Sequence, residues 1–171
     1  ALLEDKTAEF DAETARILAL SPRYGELYRV AAEAASHNFR YDDAAALVRK
    51  GVALDPGNPR ILADLGAHLL RTGEEAEART ALEQSFKTDN LDPITYNLLQ
   101  MHKVEAPVLT DYAVPLAKQA ITTLSQRYQF TPKTPILVEI FPKHDDFAVR
   151  TAGLPGLVGA LGVCFGRVVT M

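Results

Sequence analysis

The four histidines of this 171-residue chain are His37, His68, His102 and His144, and no two of them stand four residues apart. Two imidazoles one helical turn apart, with a glutamate between them to activate a metal-bound water, are what HExxH zinc chemistry needs. The chain has no HExxH. His144-Asp145-Asp146 puts three ligand-type residues in a row, but neighbouring side chains at a helix start diverge, and acids there are favoured by the helix dipole. The run reads as a helix start. Cys164, the single cysteine, sits between Val163 and Phe165 with no base beside it, and reads as a buried, inert thiol. Gly153, Gly156, Gly159 and Gly162 are spaced like a phosphate loop but lack its Lys-Ser/Thr ending. Turn geometry or close backbone packing accounts for them better. No complete catalytic site, no cofactor site and no metal site can be assembled from these residues.

With chemistry set aside, the bulk properties bound the architecture. A 47% hydrophobic composition is enough to build a core, and the net charge of −4 divides unevenly. Residues 1–106 hold 18 acids and 12 bases, whereas residues 107–171 hold 4 acids and 6 bases, which suggests two units. The acidic first part offers no basic stripe for phosphate, so nucleic acid is not the expected partner. A lone cysteine cannot staple a small extracellular fold, which leaves cytoplasm and bacterial periplasm both open. The apolar stretch Leu154–Phe165 is glycine-rich and far short of the ~20 residues of a membrane span. The chain opens at Ala1 in what reads as helix, without a signal-peptide pattern, and both ends read as cut from something larger.

The elements that could position a site emerge from an internal period. Leu18-Ala19-Leu20-Ser21-Pro22 returns 34 residues later as Val52-Ala53-Leu54-Asp55-Pro56. Counting from Gly25, one unit carries Tyr28, Ala32 and Ala35 on a first helix and Tyr41, Ala44, Val48 and Gly51 on a second, closing at Pro56. Counting from Pro59, the next carries Leu62, Leu65, Gly66 and Leu69, a turn at Gly73, then Ala78, Leu82 and Ser85. Two closely crossing helices need a small residue where their axes meet, with larger apolar residues a turn away. Ala32 facing Ala44 and Gly66 facing Ala78 supply it. Pro56-Gly57-Asn58-Pro59 breaks one helix and starts the next, and Asp92-Pro93 places an N-cap before a first-turn proline. Lys6–Leu20 reads as the second helix of a preceding unit, burying Phe10, Ile17 and Leu20; Pro93–Met101 opens a third hairpin whose second helix does not follow. A segment left out between Met101 and His102 would explain that.

This pattern resembles the tetratricopeptide repeat family over about residues 5–101. The resemblance implies a mainly α fold of antiparallel helical hairpins in a right-handed α-solenoid, followed here by a small, truncated α+β segment. It divides the chain into a repeat domain over 1–105, with repeats at about 25–58 and 59–92 and partial units at 4–24 and 93–103, and a segment over 106–171. It also implies a concave groove lined by first-helix residues: Glu26, Arg29, Glu33 and His37 in one repeat, Arg60, Ala63, Ala67 and Arg71 in the next, with Asn97 and Met101 beyond. Members that grip a peptide carboxylate use lysine and asparagine where this chain has Arg29 and Glu33. Mixed charge suits a polar peptide, a protein partner, or the chain's own C-terminal domain.

Beyond the repeats, Val108, Leu109, Tyr112, Leu116, Ala120, Ile121 and Leu124 recur at helical spacing up to Tyr128. Thr131–Pro135 is a rigid linker, Ile136–Phe141 reads as a largely buried strand, Gly153–Gly166 as a loop or weak strand, and Arg167–Met171 as strand-like. The order of PILVEIFP, HDDFAVRTAGLPG and GVCFGRVVTM resembles the opening of a peptidase-MA-like (gluzincin) metallopeptidase domain over about residues 107–171. That resemblance implies a zinc helix lying beyond Met171, and zinc only in a longer parent. The expected function is a protein-interaction scaffold without chemistry of its own; the alternative is the opening part of a repeat-containing zinc metallopeptidase.

Overall fold

A computed structural model describes residues 6–100, 107–156 and 159–171, those of 107–110 by backbone alone. The expected gap near Met101 and His102 lies outside the described residues. Eleven elements follow in order: α1 Thr7–Leu20, α2 Glu26–His37, α3 Tyr41–Leu54, α4 Pro59–Thr72, α5 Glu75–Thr88, α6 Pro93–Gln100, α7 Pro107–Tyr128, β1 Leu137–Glu139, α8 His144–Ala152, β2 Val163–Phe165 and β3 Val168–Thr170. The fold is mainly helical, with antiparallel hairpins leading into a small three-stranded sheet.

The 34-residue period is written in the helix ends. Ser21, Asp55 and Asp89 stop α1, α3 and α5 in closely similar conformations, their backbone N–H groups donating to Ile17 O, Gly51 O and Ser85 O. Each helix therefore closes one of its otherwise unpaired carbonyls in the same way. The first helices α4 and α6 start on side-chain caps, whereas α2 starts at Gly25 without one. Asn58 Oδ1 accepts from the N–H of Arg60 and Ile61, and Asp92 from those of Ile94 and Thr95, each ahead of a proline at the first helical position.

The core lies between the hairpins: Ala32, Ala35, Ala44 and Val48 from α2 and α3, Ile61, Leu65 and Leu69 from α4, Ala78 and Leu82 from α5, Leu98 from α6. One member comes from outside the repeats, Val149 of α8. Gly73 ends α4 in the left-handed region at φ +80°, the usual glycine stop, and a β-carbon there would stand 3.0 Å from Leu137 of β1. Phe39 holds the equivalent place one period earlier at φ +58° and is 79% exposed.

In the sheet the order is β1-β3-β2, with β1 parallel to β3 and β2 antiparallel to it. Gly166 at φ +56° and Arg167 make the two-residue β2–β3 turn.

Four expectations are corrected. Leu20 is 90% exposed, because α1 makes no extended interface with any other described element and buries only Thr14. Tyr112, Leu116 and Leu124 of α7 are exposed for the same reason. The strand expected over 136–141 is three residues long and is not largely buried: Leu137 is exposed while Glu139 is buried against Arg150. Cys164 is exposed, since β2 lies at an edge of the sheet and turns Phe165 inward instead.

Candidate functional site: the concave groove

Four of the ten groove positions read from the sequence fall on α2, and Met101 lies outside the described residues. Arg29 Nε lies 2.5 Å from Glu26 Oε2 and its Nη1 lies 3.1 Å from Asp64 Oδ2 on α4, tying the two first helices together. Its guanidinium is held above its ordinary pKa, first by the hydrogen bond to Glu26, while burial pushes the Asp64 carboxyl upward against the pull of Arg29. Glu33 and His37 are exposed further along α2. On α4, Ala63 and Ala67 are half-buried and Arg60 is exposed. Arg71 reaches back to α2, its Nη1 donating to Ser36 Oγ at 3.2 Å, and lies over the Phe165 ring at 5.6 Å. Burial lowers the pKa of Arg71.

Arg29, Glu33, His37, Ala67 and Arg71 share the lining of one cavity of about 460 Å³. Glu26, Arg60, Ala63 and Asn97 do not line it. Reading one row of residues per helical turn missed Asp64, His68 and Tyr41, which do. Asp64 and His68 follow Arg60 at steps of four, so the same periodicity held the signal.

The cavity has a wall that the sequence did not assign. Val149, Arg150, Thr151 and Ala152 of α8 and Gly153 just past its end, with Phe165 of β2, close it on the side of the C-terminal segment. That segment is fastened to the repeats by polar groups. Asn97 Nδ2 donates to Gly153 O at 3.4 Å. Arg150 Nη2 donates to Leu70 O, and Arg167 donates to Thr72 O from Nε at 3.1 Å and Nη2 at 2.9 Å. Both arginines thus land on the last turn of α4, where the dipole is negative; Leu70 O also accepts from the Gly73 N–H at 3.2 Å, so Arg150 adds a second donor there. Arg150 is buried beside Glu139, with Nε 2.8 Å from Oε2; desolvation draws its pKa down, against the attraction of Glu139.

Residues 35–101 match a family model described as a tetratricopeptide repeat. The matched stretch runs from the end of α2 through α6, covering both hairpin turns and the helix ends at Asp55 and Asp89. Tetratricopeptide repeats point, at this coarse level, to a protein-interaction scaffold. No curated protein matches the chain. Among the described residues no cluster of three or more His, Cys, Asp or Glu side chains is placed to hold a metal ion, and no helix is long and apolar enough to cross a membrane.

Proposed function

We propose that this chain is a protein-interaction scaffold whose repeats hold its own C-terminal α+β segment against their concave face. The observation that carries the reading is the pair of arginines, Arg150 and Arg167, that leave the segment to cap the C-terminal end of α4. A helix end buried beneath another element needs such donors, because unpaired carbonyls there would be costly. Val149, in the repeat core, adds apolar attachment.

The test is to place a protease site in the 131–135 linker and cut the folded protein. Co-elution of the two pieces in size-exclusion chromatography, lost in Arg150→Ala with Arg167→Ala, is the expected result. Pieces that separate at once would mean that the groove serves external partners and that the segment is only a neighbour.

A second reading follows from the resemblance of residues 107–171 to a gluzincin opening, and the succession of strand, helix and hairpin in β1, α8, β2 and β3 favours it. In it the repeats deliver substrate to a zinc site carried by a longer chain. Zinc content and casein hydrolysis of a longer form, beside this one, test it; neither zinc nor activity in the longer form would remove it.

A further inference from the structure

The walls of the groove cavity carry polar atoms that the fold leaves unused. His68 is 6% exposed, and its Nδ1 has no hydrogen-bond partner among the described residues. Thr151 of α8 lines the same cavity with an equally unpartnered, buried Oγ1. Native proteins seldom keep such groups except where something is bound or reacts. Arg71 stands one helical turn from His68 on the same helix. Its guanidinium uses one Nη1 bond on Ser36 and a ring face on Phe165, and among the described residues makes no hydrogen bond to a carboxylate. Asp64, the acid that acts on it through space, is engaged by Arg29.

We propose that this cavity binds a small organic carboxylate, its oxygens taken by Arg71 and His68 on α4 and its far end meeting the Thr151 hydroxyl on α8. A carboxylate accepts only, and its planar pair of oxygens matches the guanidinium fork. A neutral imidazole supplies a further N–H from the nitrogen that now has no partner. Leu70, Ile94, Leu98 and Val149 line the remainder and suit an aliphatic or aromatic body. About 460 Å³ is the size of a small-molecule site. The acids on the wall do not oppose such a ligand, because Asp64 is paired with Arg29 and Glu33 is solvent-exposed. A ligand held this way bridges the repeats and the C-terminal segment, so the site rests on the docking proposed above, and the co-elution test reports on that docking separately from ligand binding.

The same oxygens could belong to a free acid or to the last residue of a peptide, so the experiment carries both. The full chain is titrated calorimetrically with benzoate, with succinate, and with a leucine-ended tripeptide bearing either a free or an amidated terminus. Saturable binding of a free acid, or of the free-ended peptide but not its amide, is expected. Arg71→Gln and His68→Leu should each weaken it by about tenfold or more, while Lys87→Gln, on the exposed face of α5, leaves it unchanged. Arg71→Gln could loosen Phe165, so Thr151→Val, checked for native circular dichroism, serves as a variant of the opposite wall and should also weaken binding. No saturable binding below about 10 mM by any of these probes, equal binding of the amidated peptide, or full affinity in both Arg71→Gln and Thr151→Val would overturn the proposal.

Discussion

Gly66 of α4 lies so close to Leu82 of α5 that a β-carbon built on it would overlap the leucine Cγ and stand 2.7 Å from its Cδ2. The backbone carbonyl of Ala78, at 3.2 Å, blocks retreat on the other side. Gly66→Ala should therefore destabilise the protein although alanine favours helix, by about 1–3 kcal/mol of overpacking, and Gly66→Leu by more. Urea denaturation reads the difference, and an unchanged midpoint in Gly66→Leu would contradict the hairpin packing.

The buried imidazole of His68 sits at a pKa of about 4, lowered first by desolvation and second by the charge of Arg71. Its folded pKa lies below the unfolded value of 6.5. The unfolded chain therefore binds the proton more readily, so the contribution is complete above pH 6.5 and is lost as pH falls toward 4. The shift is worth roughly 3 kcal/mol. Between pH 7 and pH 4 the unfolding free energy should fall by that much more in the wild type than in His68→Leu. Parallel pH profiles would refute it.

Arg150 is fully buried and the Glu139 side chain is only 7% exposed. Removing one partner leaves the other charge stranded, which typically costs ~3–5 kcal/mol, whereas removing both does not. Arg150→Met should therefore release the C-terminal segment, seen as faster hydrogen exchange across β1, α8 and β3. Adding Glu139→Leu should restore more than half of the protection. A double variant as unprotected as the single one would show that the hydrogen bond to Leu70 O, and not the ion pair, holds the segment.

By contrast, Arg49 of α3 joins Glu74 at 2.5 Å and Glu77 at 2.8 Å ahead of and within the first turn of α5. These side chains are more than a third exposed. Screening keeps such pairs small, so Arg49→Ala should cost less than about 1 kcal/mol, and less again in high salt. Thermal melts at two ionic strengths would check both parts.

What was legible in the sequence was what neighbours along the chain decide. The 34-residue spacing found at Leu20 and Leu54 continues in the structure to Thr88, because each helix is stopped by residues within a turn of its end. Asn58 and Asp92 could be read as caps on the same ground. The sequence could not show that α1 and α7 lack extended neighbours, so their apolar residues looked buried and are not. Nor could it show why a strand would bury Glu139 and expose Leu137: the deciding residue, Arg150, lies on another element. The two arginines that join the segment to α4 act over 80 and 95 residues of sequence, out of reach of any periodicity.

Among the described residues, α8 and Arg167 grip α4 and α6 while α1 makes no extended interface with the hairpins, so the C-terminal segment fixes the array at its α4–α6 side. Whole hairpins could be gained or dropped ahead of Gly25 during descent without disturbing the docked segment, whereas any insertion between Pro59 and Gln100 would carry the last turn of α4 away from Arg167. Change in repeat number is thereby channelled to one direction of growth.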